Sequence, residues 1–367
     1  MKTLKVAIVG CGRIADAHVE EIAKLPAGRA AVVACCDREL LLAEQLAVRY
    51  AVPRHYDRYH EMLDRERPDV VHVTTPPHSH RALAGEAIDG GAHVYVEKPF
   101  AVDTAEARDL IAHAERRDRK LTVGWSSLFD PPALEMRRRI ALGDLGEPVH
   151  VESSYGYDLD GTFGQALLSD ASHWVHRLRG KLFHNIIDHP LNKIVEFLAD
   201  DEPDVHAVAY SLRPGRFGDA RDDMQDELRV LLRGTRLSAY CTFSAHIRPM
   251  GQWVRVHGTK ASIAVDYQIR TVTPEPAVRL PSAIGRILPA FAQARAFLGE
   301  GARNVRRFAR SDFHYFAGLQ EQLRRFYDAC DGGGEVPIPY RDIIRVSWIM
   351  DEIWRQLAMT NAARPPS

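Results

Sequence analysis

Over roughly the first third of the chain, short apolar runs alternate with longer stretches whose apolar residues recur every three or four positions. Lys5–Val9, Ala31–Cys36, Val70–Thr74, His93–Val96 and Leu121–Val123 read as buried strands, too uniformly apolar to leave one face in water. Between them, the stretch through Lys24, Glu39–Tyr50, His80–Asp89 and Thr104–Arg117 carry helical periodicity. Such β-α-β alternation predicts a doubly wound parallel sheet.

After Val123 the rhythm changes. Val149–Tyr157, Val205–Arg213, Glu227–Leu232, Leu237–Ser244, Trp253–His257 and Ala261–Asp266 read as strands, several joined by short turns such as Arg233-Gly234-Thr235 and His257-Gly258-Thr259-Lys260. Short turns favour hairpins and antiparallel pairing. The pattern predicts an α/β domain over 1–124 and an α+β domain over 125–367, with the boundary near Gly124 to Pro131. No Pro/Gly/Ser-rich linker separates them, so tight coupling is expected.

Three helices should close the chain. Pro281–Arg310 mixes Ile284, Ile287, Leu288, Phe291 and Phe297 with six arginines, Phe313–Cys330 is stopped by Asp331-Gly332-Gly333-Gly334, and Tyr340–Leu357 is terminal. An amphipathic helix ordinarily covers its own core or a partner subunit, which is the expectation for 281–310. A membrane surface or an acidic substrate are the alternatives.

Composition narrows the class. The 367 residues are 46% hydrophobic, enough for two cores, and 48 basic against 49 acidic side chains leave a formal charge of −1. That balance gives no electrostatic case for nucleic acid. Cys11, Cys35, Cys36, Cys241 and Cys330 are odd in number, scattered, and lack the CxxC or Cys/His spacing of a zinc site, so reduced cysteines, no metal and a cytoplasmic location are expected. No secretory signal or transmembrane segment is expected, because Val6–Val9 is too short and no run reaches about 18 apolar residues. There is no internal repeat.

The loop after the first strand carries candidate chemistry. Gly10-Cys11-Gly12-Arg13-Ile14-Ala15 has the GxGxxA spacing of a dinucleotide-binding turn. Gly10 allows the tight turn, Gly12 has no Cβ to block a pyrophosphate, and Ala15 lets helix and strand approach. The phosphates would meet free N–H groups at the helix start, around Arg13 and Ile14. Asp37 ends the second strand, 22 residues after Ala15, where an acid binds the adenosine ribose. Its charge repels a 2′-phosphate and favours NAD, whereas Arg38 could pair with such a phosphate and leaves NADP open.

Two more segments fall at carboxyl ends of strands, where open α/β sheets bind ligands. Thr75-Pro76-Pro77-His78-Ser79-His80 should line the nicotinamide half of the crevice, with Thr75, Pro76 and His80 as cofactor neighbours and Ser79 as a helix cap. Glu97-Lys98-Pro99 follows His93–Val96, and a lysine there is costly unless it has a task.

These three segments, in this order and spacing, resemble the sugar and cyclitol dehydrogenases grouped with glucose–fructose oxidoreductase and inositol dehydrogenase, the Gfo/Idh/MocA family. The likeness is specific over residues 1 to about 131 and looser beyond. It implies an N-terminal Rossmann domain and a C-terminal domain whose open, mostly antiparallel sheet joins subunits into a dimer or tetramer, with the helix 340–357 packing back near the first domain. It also implies that Lys98 contacts the substrate hydroxyl and that a histidine of the second domain acts with it.

That second segment departs from the family pattern. Where members carry DxGxHxxD, this chain has Asn185-Ile186-Ile187-Asp188-His189-Pro190-Leu191-Asn192. His189 matches, but Asn185 cannot serve as a base, and Asn192 replaces the final acid. Lys98 and His189 are therefore the expected catalytic pair, both able to titrate near neutrality. Asn185, Asn192, Tyr155 and Trp125 are candidate substrate contacts. Trp125 lies in Val123–Pro131, where Ser126 and Leu128 replace the Asn and Arg of the family segment VGFNxRFxP. His173 or Trp174, in a long loop, could close over a sugar ring.

The expected activity is NAD(P)-dependent hydride transfer to or from a hydroxyl or keto carbon of a sugar, sugar derivative, nucleotide sugar or cyclitol. Two alternatives stay open. One is redox-neutral sugar elimination or hydrolysis with tightly held NAD; the other is a catalytically degenerate dinucleotide-binding sensor or partner subunit, suggested by Asn185 and Asn192.

Overall fold

A six-stranded sheet is built from β1 (Leu4–Val9), β2 (Ala30–Cys36), β3 (Arg54–Tyr56), β4 (Val70–Val73), β5 (His93–Val96) and β6 (Leu121–Val123). All neighbours pair in parallel, in the order β3-β2-β1-β4-β5-β6. Strand order reverses at β1 and β4, so the loops leaving those strands diverge and open a crevice. Val6, Ala7, Ile8, Val70, Val71 and Val73 are fully buried, which is why these runs are continuously apolar.

The crossover helices are α1 (Arg13–Ala23), α2 (Leu40–Tyr50), α3 (Tyr59–Glu66), α4 (His80–Asp89) and α5 (Thr104–Arg116). Asp103 caps α5, its side chain accepting from the Glu106 N–H at 2.9 Å. β3 and α3 had no counterpart among the expected elements. β3 is a three-residue edge strand with two exposed positions, and α3 is short and mostly polar, so neither leaves a strong period.

The computed structural model describes residues 2–170, 172–213, 224–276, 282–310, 313–314 and 316–362. Beyond the first sheet come α6 (Pro131–Ala141), β7 (Pro148–Gly156), α7 (Thr162–Ser169), α8 (Lys181–Ile186), α9 (Asp188–Val195), β8 (Asp204–Tyr210), β9 (Glu227–Arg233), β10 (Ser238–Ser244), β11 (Gln252–Gly258), β12 (Ala261–Asp266) and β13 (Thr271–Pro276). The sheet runs β13-β12-β11-β7-β10-β9-β8, antiparallel except for the parallel pair β7 and β10.

Residues alternate across this sheet. Leu228, Val230 and Leu232 of β9 are buried with Ala239, Cys241 and Phe243 of β10, while Arg229, Leu231 and Arg233 face the other way. α9 packs on β7 and β10 from the covered side. The segment around Ser169–Trp174, expected as a long loop, is instead flanked by α7 and a 3₁₀ turn at Trp174–Arg177; Ala171 lies outside the described residues.

The chain closes with α10 (Ser282–Ala309), α11 (Ala317–Gly332) and α12 (Tyr340–Ala362). Pro281, the expected start of the first of these, lies outside the described residues, as does Tyr315. The chain divides into two compact units, Met1–Phe129 with Tyr315–Ser347, and Asp130–His314 with Trp348–Ser367. The break at Phe129/Asp130 lies within the expected stretch from Gly124 to Pro131, and Tyr315–Ser347 groups with the first unit rather than the second. Leu319, Leu323, Phe326 and Tyr327 of α11 join the core of Val6, Ala17, Ile22, Val70 and Tyr95, because the sheet face beside α1 needs an apolar cover.

Candidate active site

The cofactor loop takes its shape from Gly10, at φ +95°. A Cβ there would stand 2.8 Å from the Thr75 backbone nitrogen, so only glycine lets the ends of β1 and β4 come this close. Thr74 fastens the same junction, its hydroxyl donating to Gly10 O at 2.6 Å. Gly12 is different: nothing lies within 4 Å of where its Cβ would be. Gly12 is the N-cap of α1 without a side-chain cap, and with Arg13 it is exposed. A diphosphate fits this open space against the first turn of α1.

Asp37 follows β2 and turns Oδ2 toward the glycine loop, accepting from Cys11 N at 2.7 Å, while Oδ1 accepts from Glu39 N at 2.9 Å. Its carboxylate thus stands against the glycine loop, while the Arg38 side chain points into solvent.

The loops after β4 and β5 are tied together by His80. The ring is fully buried, with Nδ1 3.0 Å from Pro99 O and Nε2 2.7 Å from Thr75 O. His80, expected beside the cofactor, instead has both ring nitrogens committed to backbone carbonyls, so it positions the loops. Ser79 makes no side-chain cap for α4; its hydroxyl donates to Pro76 O at 2.8 Å and can accept from the Thr75 hydroxyl at 2.7 Å, stiffening the turn that holds Thr75 and Pro76.

Lys98 stands two residues past the end of β5 and is half-buried, preceding a cis peptide to Pro99. Beneath it runs a buried polar chain that periodicity did not reveal. Glu97 Oε1 lies 3.0 Å from His18 Nε2, His18 Nδ1 lies 2.7 Å from His72 Nδ1, and His72 Nε2 lies 2.9 Å from the Tyr327 hydroxyl. Burial pushes the Glu97 carboxyl up, but the His18 hydrogen bond, with Lys98, outweighs it and holds the group below its usual range. Burial, helped by His18, pushes His72 well below an ordinary histidine. The sequence signal was a histidine inside each of two apolar elements, β4 and the buried side of α1.

Trp125, just past β6, is 2% exposed, and its indole N–H meets no acceptor. It is a wall of its unit's core.

In the second unit, α8 and α9 meet at Ile187 and bury nearly every residue from Leu182 to Val195. His189 is the half-exposed exception. Its ring stacks on Tyr155 of β7 at 4.8 Å and 4°, so two candidate site residues do come together. Tyr157, the expected end of this strand, lies one residue beyond β7.

Lys193, one turn on, is buried and donates Nζ to His189 O at 2.6 Å while lying 4.9 Å from the Tyr267 ring centre. Burial lowers it to about 8, with Asp188 and Asp130 pulling it back up. Asn192 donates to Asp188 Oδ1 at 3.3 Å, and its own buried oxygen meets no donor. At 1% exposure it is a core residue, which corrects its place among substrate contacts; Asn185 is also buried, at 9%. Sequence spacing could not show this, because α8 and α9 are buried on nearly all sides.

Among the described residues, Asp226, Glu227 and His246 could group around a metal. They are held internally, His246 to Asp226 at 2.8 Å and Arg229 to Glu227 at 2.6 Å, and the arginine already supplies the positive charge.

A 3-2-1-4-5-6 parallel sheet with a glycine turn, an open helix start and an acid closing β2 defines a dinucleotide-binding protein of the Rossmann class. Residues 4–125 match the family model described as "Oxidoreductase family, NAD-binding Rossmann fold", and residues 133–264 match the GFO/IDH/MocA C-terminal domain. The chain belongs to the Gfo/Idh/MocA oxidoreductase family, and its cofactor is NAD. Inositol 2-dehydrogenase of Salmonella typhimurium is 28% identical over 155 residues, 42% of this chain and 46% of that protein, so the match spans about half the relative's length. An oxidoreductase from Agrobacterium radiobacter, solved with NAD+, L-tartaric acid and magnesium, superposes with a TM-score of 0.75 at 18% identity over 97% of each chain. The WlbA dehydrogenase from Chromobacterium violaceum, solved with NADH and UDP-GlcNAcA, gives 0.74 at 16% identity over 98% of this chain and 95% of that one.

Proposed function

We propose that the chain is an NAD-dependent dehydrogenase that exchanges a hydride with a hydroxyl-bearing or keto carbon of a sugar, sugar derivative or cyclitol, nucleotide sugars included. The observation that carries this is the placement of Lys98. It emerges at the carboxyl end of β5, on the strand next to β4, with its loop bridged by His80 to the turn at Thr75. Gly10, Gly12, Arg13, Ile14, Asp37, Thr75 and Pro76 would hold NAD, with Arg38 at the outer margin. The inositol dehydrogenase relatives and the nucleotide-sugar ligand of WlbA support the substrate class.

Bound nicotinamide supplies a hydride acceptor at C4. Lys98 Nζ donates to the substrate oxygen and polarises it. A ring nitrogen of His189 takes the hydroxyl proton as the C–H bond gives up its electron pair, and returns it in the reverse direction. Stacking on Tyr155 and the Lys193 anchor at the His189 carbonyl fix that imidazole, while Asn185 lies on the adjoining helix.

Copies of the chain pair through the open face of the second sheet, where Tyr240 and Leu231 stand opposite each other and exposed. Its five unpaired cysteines, four of them buried, suit a reducing cytoplasm.

The test is NADH formation from a panel of cyclitols, hexosides and UDP-sugars by wild type, Lys98→Met and His189→Asn. Both variants should lose about 10²–10⁴-fold in kcat, with NADH binding, read by fluorescence, kept. Full turnover in Lys98→Met would sink the reading, and NADH bound without turnover of any panel member would favour a sensor.

A further inference from the structure

α10 meets its own fold with its small and polar side. Gly285, Pro289, Ala296, Asn304 and Arg307 are half-buried and Glu300 is buried where the helix lies along β13, and Asn304 Nδ2 donates to Ile269 O at 2.9 Å. Of the two expected roles, cover for its own core or for a partner subunit, the first is overturned, because the apolar stripe faces away from the chain's own fold. Ile284, Phe291, Leu298 and Val305 recur every seven residues and, with Ile287 and Leu288, fall within an arc of about 100° on nearly the opposite side. These six side chains are 47–75% exposed, the reverse of an ordinary surface helix.

Charge says what could cover them. α10 holds five arginines and one acid, a net +4, in a chain whose total is −1, so every other residue together carries −5. The single acid, Glu300, is buried and held by Arg303 at 2.5 Å, on the side away from the stripe. Arg295 falls within the arc of the stripe and Arg306 at its edge. Packed stripe to stripe, a second copy of α10 would bring Arg295 and Arg306 of each helix together with no carboxylate between them. An occupant that is apolar, and anionic where it meets Arg295 and Arg306, suits this face, which runs about 42 Å for 28 residues.

We propose that α10 docks this chain on the surface of an anionic phospholipid bilayer, lying in the plane of the headgroups. Ile, Leu, Phe and Val enter the acyl boundary, and the guanidiniums reach the lipid phosphates. Among the described residues no helix is long and apolar enough to cross a membrane, so the attachment is peripheral.

The experiment is flotation of the full-length protein with vesicles of phosphatidylcholine alone or with 30% phosphatidylglycerol, at low and high salt. Binding should require phosphatidylglycerol and weaken with salt. Phe291→Asp with Leu298→Asp should lower the bound fraction at least tenfold, and each of Arg295→Gln and Arg306→Gln about fivefold, all with wild-type mass by light scattering and wild-type melting temperature. Absence of binding to the anionic vesicles at low salt overturns the proposal. So does a fall in oligomer mass in the Asp variant without vesicle binding, which assigns the stripe to a second copy. A misfolded Asp variant leaves the arginine variants to decide: unchanged binding in both overturns it.

Discussion

His18 and His72 face each other Nδ1 to Nδ1 at 2.7 Å, inside the first unit, with Glu97 beyond one ring and Tyr327 beyond the other. One proton can lie between two such nitrogens. An ionised Glu97 fixes the direction: His18 Nε2–H donates to Glu97, His72 Nδ1–H donates to His18, and the Tyr327 hydroxyl donates to His72 Nε2.

The chain should therefore be anchored at its carboxylate end. His18→Phe strips the Glu97 carboxylate of its side-chain donor, leaving only the Lys98 N–H, and should cost about 2–4 kcal/mol of stability in urea unfolding. Tyr327→Phe removes only the terminal donor and should cost about 1 kcal/mol. A larger loss in Tyr327→Phe than in His18→Phe would refute the direction assigned.

The two loop glycines should fail in different ways. Gly10→Ala places a Cβ 2.8 Å from backbone at a positive φ, so the melting temperature falls and NAD binding falls with it. Gly12→Ala meets no protein atom within 4 Å. Its melting temperature should stay, while calorimetric NAD affinity drops at least about tenfold, because the methyl occupies the diphosphate's space. Equal affinity in Gly12→Ala would place the diphosphate elsewhere.

Stability should fall on the acid side of neutrality. Burial lowers His72 well below its ordinary value, and burial with Arg119 and Lys120 lowers His93 to about 4. The unfolded chain protonates both near 6.5, so it binds more protons than the native state as pH drops below that. A buried group such as His72 then costs up to about 1.4 kcal/mol per pH unit. Lys193 gives a second window with the same sign: its folded value of about 8 lies below the unfolded 10.5, so stability gained from this group rises with pH between them. The stability difference between wild type and Lys193→Met, from urea midpoints at pH 8 and 9.5, should shift toward wild type; a constant difference would count against a depressed lysine.

Much of this was legible in the order of residues. β1, β2, β4, β5 and β6 are apolar runs because both faces of the sheet are covered, and the turn at Gly10 and Gly12 needs glycine for backbone reasons that act locally. His189 was singled out by its motif. Its stacking on Tyr155 was not, since the two residues meet only when α9 lies on the second sheet.

The sequence alone determined the parallel sheet, the cofactor turn, the lysine beyond β5 and the shift to hairpins after Val123, all properties of neighbouring residues. Tertiary structure decided that α11 returns to the first core, that His18, His72, Glu97 and Tyr327 form one chain, that Asn192 is buried, and that α10 turns its apolar stripe outward. The reason is physical: a periodic pattern states that a face is apolar, whereas which surface covers it depends on contacts between residues hundreds of positions apart, as between His72 and Tyr327.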